Sequence, residues 1–121
     1  MLIDTNILIA HLQGDKVVSE TLEQWWKEGK PLFVSAISKI EVLSLPSLAH
    51  TQIVDYTLFL NSFISIPVDD AIVSEAARLR RQYRISLPDA SIAATSILYR
   101  TSLVTRDKGF NKINEISTIK L

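Results

Sequence analysis

The sequence predicts an α/β fold with a mostly parallel sheet. Three observations predict it. Short apolar runs alternate with amphipathic stretches along all 121 residues, the pattern of βαβ units. Hydrophobic content is 47%, enough for a buried core and against disorder. Acids recur where apolar runs give way to helix starts, at Asp4, Glu41, Asp89 and Asp107. The length suits one domain with one core.

Each element has a local reason. The apolar start Leu2–Ile3 leads into Asp4, and Ile7, Leu8, Ala10, His11 and Leu12 predict a helix ending near Gly14. Val17, Val18, Leu22, Trp25 and Trp26 mark a second helix, stopped by Gly29 and Pro31. Residues 32–36 are β-prone, and a helix over 38–45 is ended by Pro46. Residues 50–63 carry Ile53, Tyr56, Thr57 and Leu60 on one helical face, broadened by Leu58, Phe59 and Phe63. Residues 64–68 predict a strand, with Pro67 marking an edge or an end. A helix over 69–83 buries Ile72, Ala76, Leu79 and Tyr83. Pro88 opens a helix over 89–99, whose Ala90, Ala93 and Ala94 allow close packing. A strand over 102–105, a helical turn over 108–113 and a strand over 117–121 complete the chain.

Each acid has a structural explanation. Ser38-x-x-Glu41 and Ser86-x-x-Asp89 match a capping box, and Asp4 and Asp107 match simple N-caps. A cap needs only a nearby N–H, so it does not explain why acids from four separate segments should share one sheet edge. In a parallel sheet such positions meet in the crevice outside the carboxyl ends of the strands. Four carboxylates there repel one another unless a hard divalent cation holds them, which points to phosphate chemistry.

The ordered set Leu2-Ile-Asp4-Thr-Asn6-Ile-Leu-Ile, Ser38-x-x-Glu41, Leu87-Pro-Asp89-Ala-x-Ile-Ala-Ala94 and Leu103-Val-Thr105-Arg-Asp107-x-x-Phe110 spans nearly the whole chain. It resembles PIN-domain nucleases, and more narrowly the VapC-like toxins of prokaryotic toxin–antitoxin pairs. The resemblance implies a three-layer α/β/α fold with a central, mostly parallel sheet. It also implies a Mg²⁺- or Mn²⁺-dependent ribonuclease, with Asp4, Glu41, Asp89 and Asp107 as metal-binding and catalytic residues. Asn6 and Thr105 would orient ligands or water through hydrogen bonds. The resemblance further implies a homodimer and a cognate antitoxin partner. Some relatives carry another acid just after the fourth; positions 108–110 here are Lys, Gly and Phe, so a second metal would wait for RNA phosphate to complete its site.

Thirteen basic and thirteen acidic side chains leave no net charge, so contact with RNA needs a local basic patch or a metal. Arg78, Arg80, Arg81 and Arg84 cluster late in one helix. They read either as a solvated face favoured by the helix dipole or as a phosphate-guiding patch, with Arg80 and Arg84 the RNA-binding candidates. Of the adjacent Trp25 and Trp26, one is expected in the core. The other is expected in a groove with Leu58, Phe59 and Phe63, where an apolar segment of the antitoxin would lie. His11 and His50 have no metal-ligand spacing and read as structural or surface residues.

Cysteine is absent, which excludes disulfides and thiolate metal sites. No apolar run reaches the roughly 18 residues of a membrane span, and the first residues do not read as a secretory signal, so a cytoplasmic protein is expected. Phosphotransferase chemistry of the haloacid-dehalogenase type usually needs an acid two residues after the first, and that place holds Asn6. A response-regulator receiver lacks its paired acids. The remaining alternative is a catalytically silent RNA-binding or scaffold domain on the same fold.

Overall fold

The computed structural model describes residues 1–121. Five short strands alternate with helices: β1 (Leu2–Ile3), α1 (Thr5–Leu12), α2 (Lys16–Lys27), β2 (Phe33–Ser35), α3 (Ala36–Leu43), α4 (His50–Leu60), β3 (Ile64–Ile66), α5 (Asp70–Gln82), α6 (Leu87–Leu98), β4 (Leu103–Val104) and β5 (Thr118–Ile119). A 3-10 turn, Lys108–Lys112, joins the last two strands. The strand order is β3-β2-β1-β4-β5, and every pairing is parallel.

Alternation along each strand builds the two buried layers. Ile3 and Val104 face a core that includes Ile7, Leu8, Val18, Leu22 and Leu60, beneath α1, α2 and α4. Leu2 and Leu103 face the opposite core, with Ile72, Leu79, Ile92 and Phe110. Successive residues of a strand point to opposite faces, so a pair as short as Leu2–Ile3 feeds both layers. The result is the expected α/β/α sandwich.

Helix starts follow the capping chemistry. Asp15 Oδ1 accepts from Val18 N at 3.1 Å and Asp69 Oδ1 from Ile72 N at 2.9 Å, each closing a first turn. Gly14 and Gly29 stand at φ +85° and +70° after α1 and α2, a left-handed conformation that glycine adopts without a Cβ penalty. Helix α4 ends at Leu60, short of the expected Phe63, because Phe63 turns into the core. Ile64–Ile66 is an edge strand, and Pro67 comes after it, where no ladder donor is needed.

One boundary changes the meaning of an acid. Helix α3 begins at Ala36, capped by Ser35, whose hydroxyl accepts from Ile37 N at 3.1 Å. Ser38 is therefore inside the helix, and Glu41 lies well past its first turn. The capping-box reading of Glu41 is overturned: Ser35 ends β2 and takes the cap position, which puts Ser38 inside the helix where it cannot be the cap.

Candidate functional site

The strand order reverses between β1 and β4, and the chain leaves both strands at the same edge. Asp4 comes directly after β1, and Asp107 comes three residues after β4. Helix α6 returns toward the start of β4, so its first turn, carrying Asp89, lies at that edge too. Asp4, Glu41, Asp89 and Asp107 line one open cleft of about 220 Å³, with Thr5, Asn6 and Ile9. No histidine is in its wall.

Each acid is held by its own neighbours. Asp4 is 4% exposed. Its Oδ1 accepts from Thr5 N at 2.8 Å and its Oδ2 from Thr105 Oγ1 at 2.6 Å. Thr105 Oγ1 in turn accepts from Asp107 N at 2.9 Å, tying the two acids' segments together. Asn6 spans the same junction: its Nδ2 reaches Thr105 Oγ1 at 3.5 Å and its Oδ1 accepts from Arg106 N at 3.4 Å. Asp107 Oδ1 accepts from Gly109 N at 2.8 Å, and a Cβ at Gly109 would come within 3.0 Å of that same oxygen. Glycine there lets the carboxylate sit against the backbone.

Glu41 is held by Thr5, a residue with no expected role in the sequence. Thr5 Oγ1 lies 2.8 Å from Glu41 Oε1 and 2.9 Å from Ser38 Oγ, and Ser38 is fully buried. An ionised Glu41 only accepts, so Thr5 donates to it and Ser38 donates to Thr5. The Ser38-x-x-Glu41 spacing thus serves a hydroxyl chain across two helices, not a cap. Asp89 keeps half of its expected box: its N–H donates to Ser86 Oγ at 3.2 Å.

The electrostatics arise from burial and crowding. Burial pushes the Asp4 carboxyl up to about 6, with repulsion from Asp89 and Asp107 adding to it against the hydrogen bonds from Thr105 and Thr5. Asp89 is also raised, first by burial and then by Asp107 and Glu41; Lys112 works in the opposite direction. A site of oxygen donors that raise one another's pKa values favours a hard cation. As the side chains stand, no three of them form a group that could hold an ion. Glu41 Oε2 and Asp107 Oδ2 carry no protein hydrogen bond, so each leaves an oxygen free to meet an ion. The donor set therefore fits a divalent ion in chemistry and charge.

The clustered arginines do not line the cleft. Arg78 is tied to Glu75 and Glu115. Arg80 borders an apolar depression with Val73, Ala76 and Leu87, and its Nε reaches the Ile85 carbonyl at 3.4 Å. Arg84 is exposed, and its carbonyl accepts from Lys112 Nζ at 2.7 Å. Neither Arg80 nor Arg84 lines the acid cleft.

Trp26 packs against Phe59 and Phe63, and Trp25 lines an open groove on α2 with Val17, Thr21 and Gln24 in place of the expected one with Leu58, Phe59 and Phe63. Both tryptophans are partly buried and both pack on the core beneath α1, α2 and α4, because that core extends between α2 and α4. Trp26 meets Phe63 with ring centroids 5.2 Å apart, and Phe63 is itself buried, so of the expected groove Leu58 is left fully on the surface. His11 stacks on Phe59 at 4.5 Å and shares a 2.8 Å hydrogen bond with Ser19, and burial lowers its pKa.

A three-layer fold with a parallel sheet and an acid-lined cleft at its switch point defines a class, and the sequence profile described as PIN domain matches residues 1–116. The chain belongs to the PIN-domain family. Among its relatives is Ribonuclease VapC10 of Mycobacterium tuberculosis, 33% identical over 110 residues, covering 87% of this chain and 80% of that protein. A solved toxin–antitoxin complex from Klebsiella pneumoniae contains a chain 32% identical to this one, with a TM-score of 0.83 over 99% of this chain and 98% of that one. VapBC2 from Rickettsia felis, solved with a promoter DNA fragment, shares 20% identity at a TM-score of 0.86 over 99% and 97%, which is a likeness of fold.

Proposed function

We propose that this protein is a divalent-metal-dependent ribonuclease that hydrolyses RNA phosphodiester bonds, and that it is the toxin of a toxin–antitoxin pair. The observation that carries the reading is the meeting of Asp4, Glu41, Asp89 and Asp107 in one cleft at the sheet's switch point. The ribonuclease among its relatives at 33% identity and the toxin–antitoxin complex at 32% support the substrate class and the partner. A cytoplasmic place of action belongs with that role. No helix is long and apolar enough to cross a membrane.

The four acids would hold Mg²⁺ or Mn²⁺. A divalent ion there offsets the charge that develops on the phosphate in the transition state. The chain's own residues prepare the carboxylates. Thr105 and the Thr5 N–H fix both oxygens of Asp4, Thr5 aims Glu41, and the Gly109 N–H anchors Asp107. Asn6 and Thr105 keep the two strand exits in register. These bonds restrict the carboxylates, which lessens the reorganisation left when ion and substrate arrive. Self-association belongs to the same reading: Ile40, Val73 and Leu87 are each more than half exposed, apolar surface that a second copy would cover.

The test is cleavage of defined RNAs after exhaustive chelation and after Mn²⁺ is restored. Chelated protein should leave the RNA intact, and millimolar Mn²⁺ should restore cutting. Full cleavage in excess chelator would reject the metal requirement. RNA that is bound but never cut under any metal condition would favour a silent RNA-binding domain.

A further inference from the structure

Without an ion, the acid cleft repels the polyanion it is proposed to cut. The chain carries no net charge, so attraction for RNA has to be local. Beside the cleft, between the 3-10 turn and β5, lies a smaller notch of about 100 Å³. Arg106, Lys108, Asn111, Thr118 and Lys120 form its walls, and no hydrophobic side chain does. It shares Asp107 with the acid cleft and includes Thr105, which bonds Asp4.

The three cations are not equivalent. Arg106 is already engaged: Nη1 meets Asp15 Oδ2 at 2.7 Å and Nε meets the Leu121 carbonyl at 3.0 Å. It is a fixed part of the wall. Lys108 and Lys120 are exposed and take part in none of the chain's ion pairs. Asn111 and Thr118 add neutral donors. The single acid, Asp107, has one oxygen occupied by the Gly109 N–H. No aromatic face is present on which a base could stack, so the chemistry suits an oxyanion and not a nucleobase. A space of this size takes a phosphate with a few waters.

We propose that this notch seats a backbone phosphate of the RNA strand next to the one being cut, with Lys108 and Lys120 as its contacts. The proposal rests on the ribonuclease reading and adds the side of the cleft over which the strand runs. It sets that side at β4–β5, and not at Arg80, which borders an apolar depression. The contact is to phosphate, so it carries affinity without sequence preference.

Two measurements test it. The first is anisotropy of a labelled RNA oligomer on Asp89→Asn protein, across a salt series. Lys108→Gln with Lys120→Gln should weaken binding about tenfold at low salt and reduce the slope of log affinity against log salt by about 1. The second is steady-state cleavage in the otherwise native chain, where the same pair should raise KM and leave kcat nearly unchanged. Arg80→Gln with Arg84→Gln serves as the comparison. If the lysine pair leaves affinity, slope and KM untouched while the protein still cuts RNA, the notch assignment fails alone. If only the arginine pair lowers the slope, the strand runs over the other face. Protein that neither binds nor cuts RNA would remove the ribonuclease reading and the notch with it.

Discussion

Asp89→Asn and Glu41→Gln should each lower RNA cleavage by about 100-fold or more, a loss of ~2.7 kcal/mol in transition-state stabilisation. Both replacements keep shape and remove charge. Glu41→Gln still offers an amide oxygen to the Thr5 hydroxyl, which lies 2.8 Å from Glu41 Oε1, so the chain from Ser38 survives. At Asp89 the hydrogen bond to Ser86 comes from the backbone N–H and is unaffected. Loss of an acid from the first turn of α6 costs roughly 0.3–1 kcal/mol through the helix dipole. Relief from Asp107 and Glu41, which already raise the Asp89 pKa, offsets part of that. Unfolding midpoints should therefore stay close to the parent's while activity collapses. Cleavage within about threefold of the parent, by either variant, would mean that its charge takes no part.

The second large effect is on stability, and its sign is set by Asp4. Burial pushes its folded-state pKa up to about 6, above the ordinary value of 3.8. Well below pH 3.8 the carboxyl is protonated folded or unfolded and contributes nothing. As pH rises toward 6, the unfolded chain has released a proton that the folded state still holds, so metal-free stability falls across that window. Above it the loss is complete, on the order of 3 kcal/mol. Asp15, held below its usual range by Arg106, works in the opposite sense and at lower pH. The quantity to measure is thus the difference between the parent and Asp4→Asn in chelator-treated urea unfolding. The variant should gain on the parent between pH 4 and pH 7. Mn²⁺ should then stabilise the parent more at pH 7 than at pH 5, because it competes with protons for the same oxygens. Ion at about 100 times its dissociation constant gives ~2.7 kcal/mol. Equal pH profiles for the two chains would show that Asp4 is not strained by its burial.

The elements are legible in the sequence where a cap or a stop stands in the chain. Asp4 and Ser86 cap α1 and α6 as their side chains predict, and Gly14 and Gly29 follow the ends of α1 and α2. The cleft is legible because Asp4 and Asp107 each come just after a strand, and parallel strands deliver their succeeding residues to one edge. The sequence misleads where signals compete. Ser35 and Ser38 both suit an N-cap, and only the end of β2 decides for Ser35. Thr5 is flanked by Asp4 and Asn6, and nothing local says that its hydroxyl reaches Glu41, 36 residues away. Adjacent tryptophans suggest one face in and one out, yet the core beneath α2 and α4 is wide enough to hold parts of both. Lys108 and Lys120 are separated by most of the last turn and strand. Only the folded register of β5 beside β4 brings their segments together.

If the four acids form a cation site, diffraction from crystals soaked in Mn²⁺, with data collected at the manganese edge, should reveal it most directly. The expected result is an anomalous peak inside the cleft, within coordination distance of at least two carboxylates among Asp4, Glu41, Asp89 and Asp107, with Glu41 or Asp107 rotated toward it. A cleft without a peak at millimolar Mn²⁺, its side chains unmoved, would contradict the site.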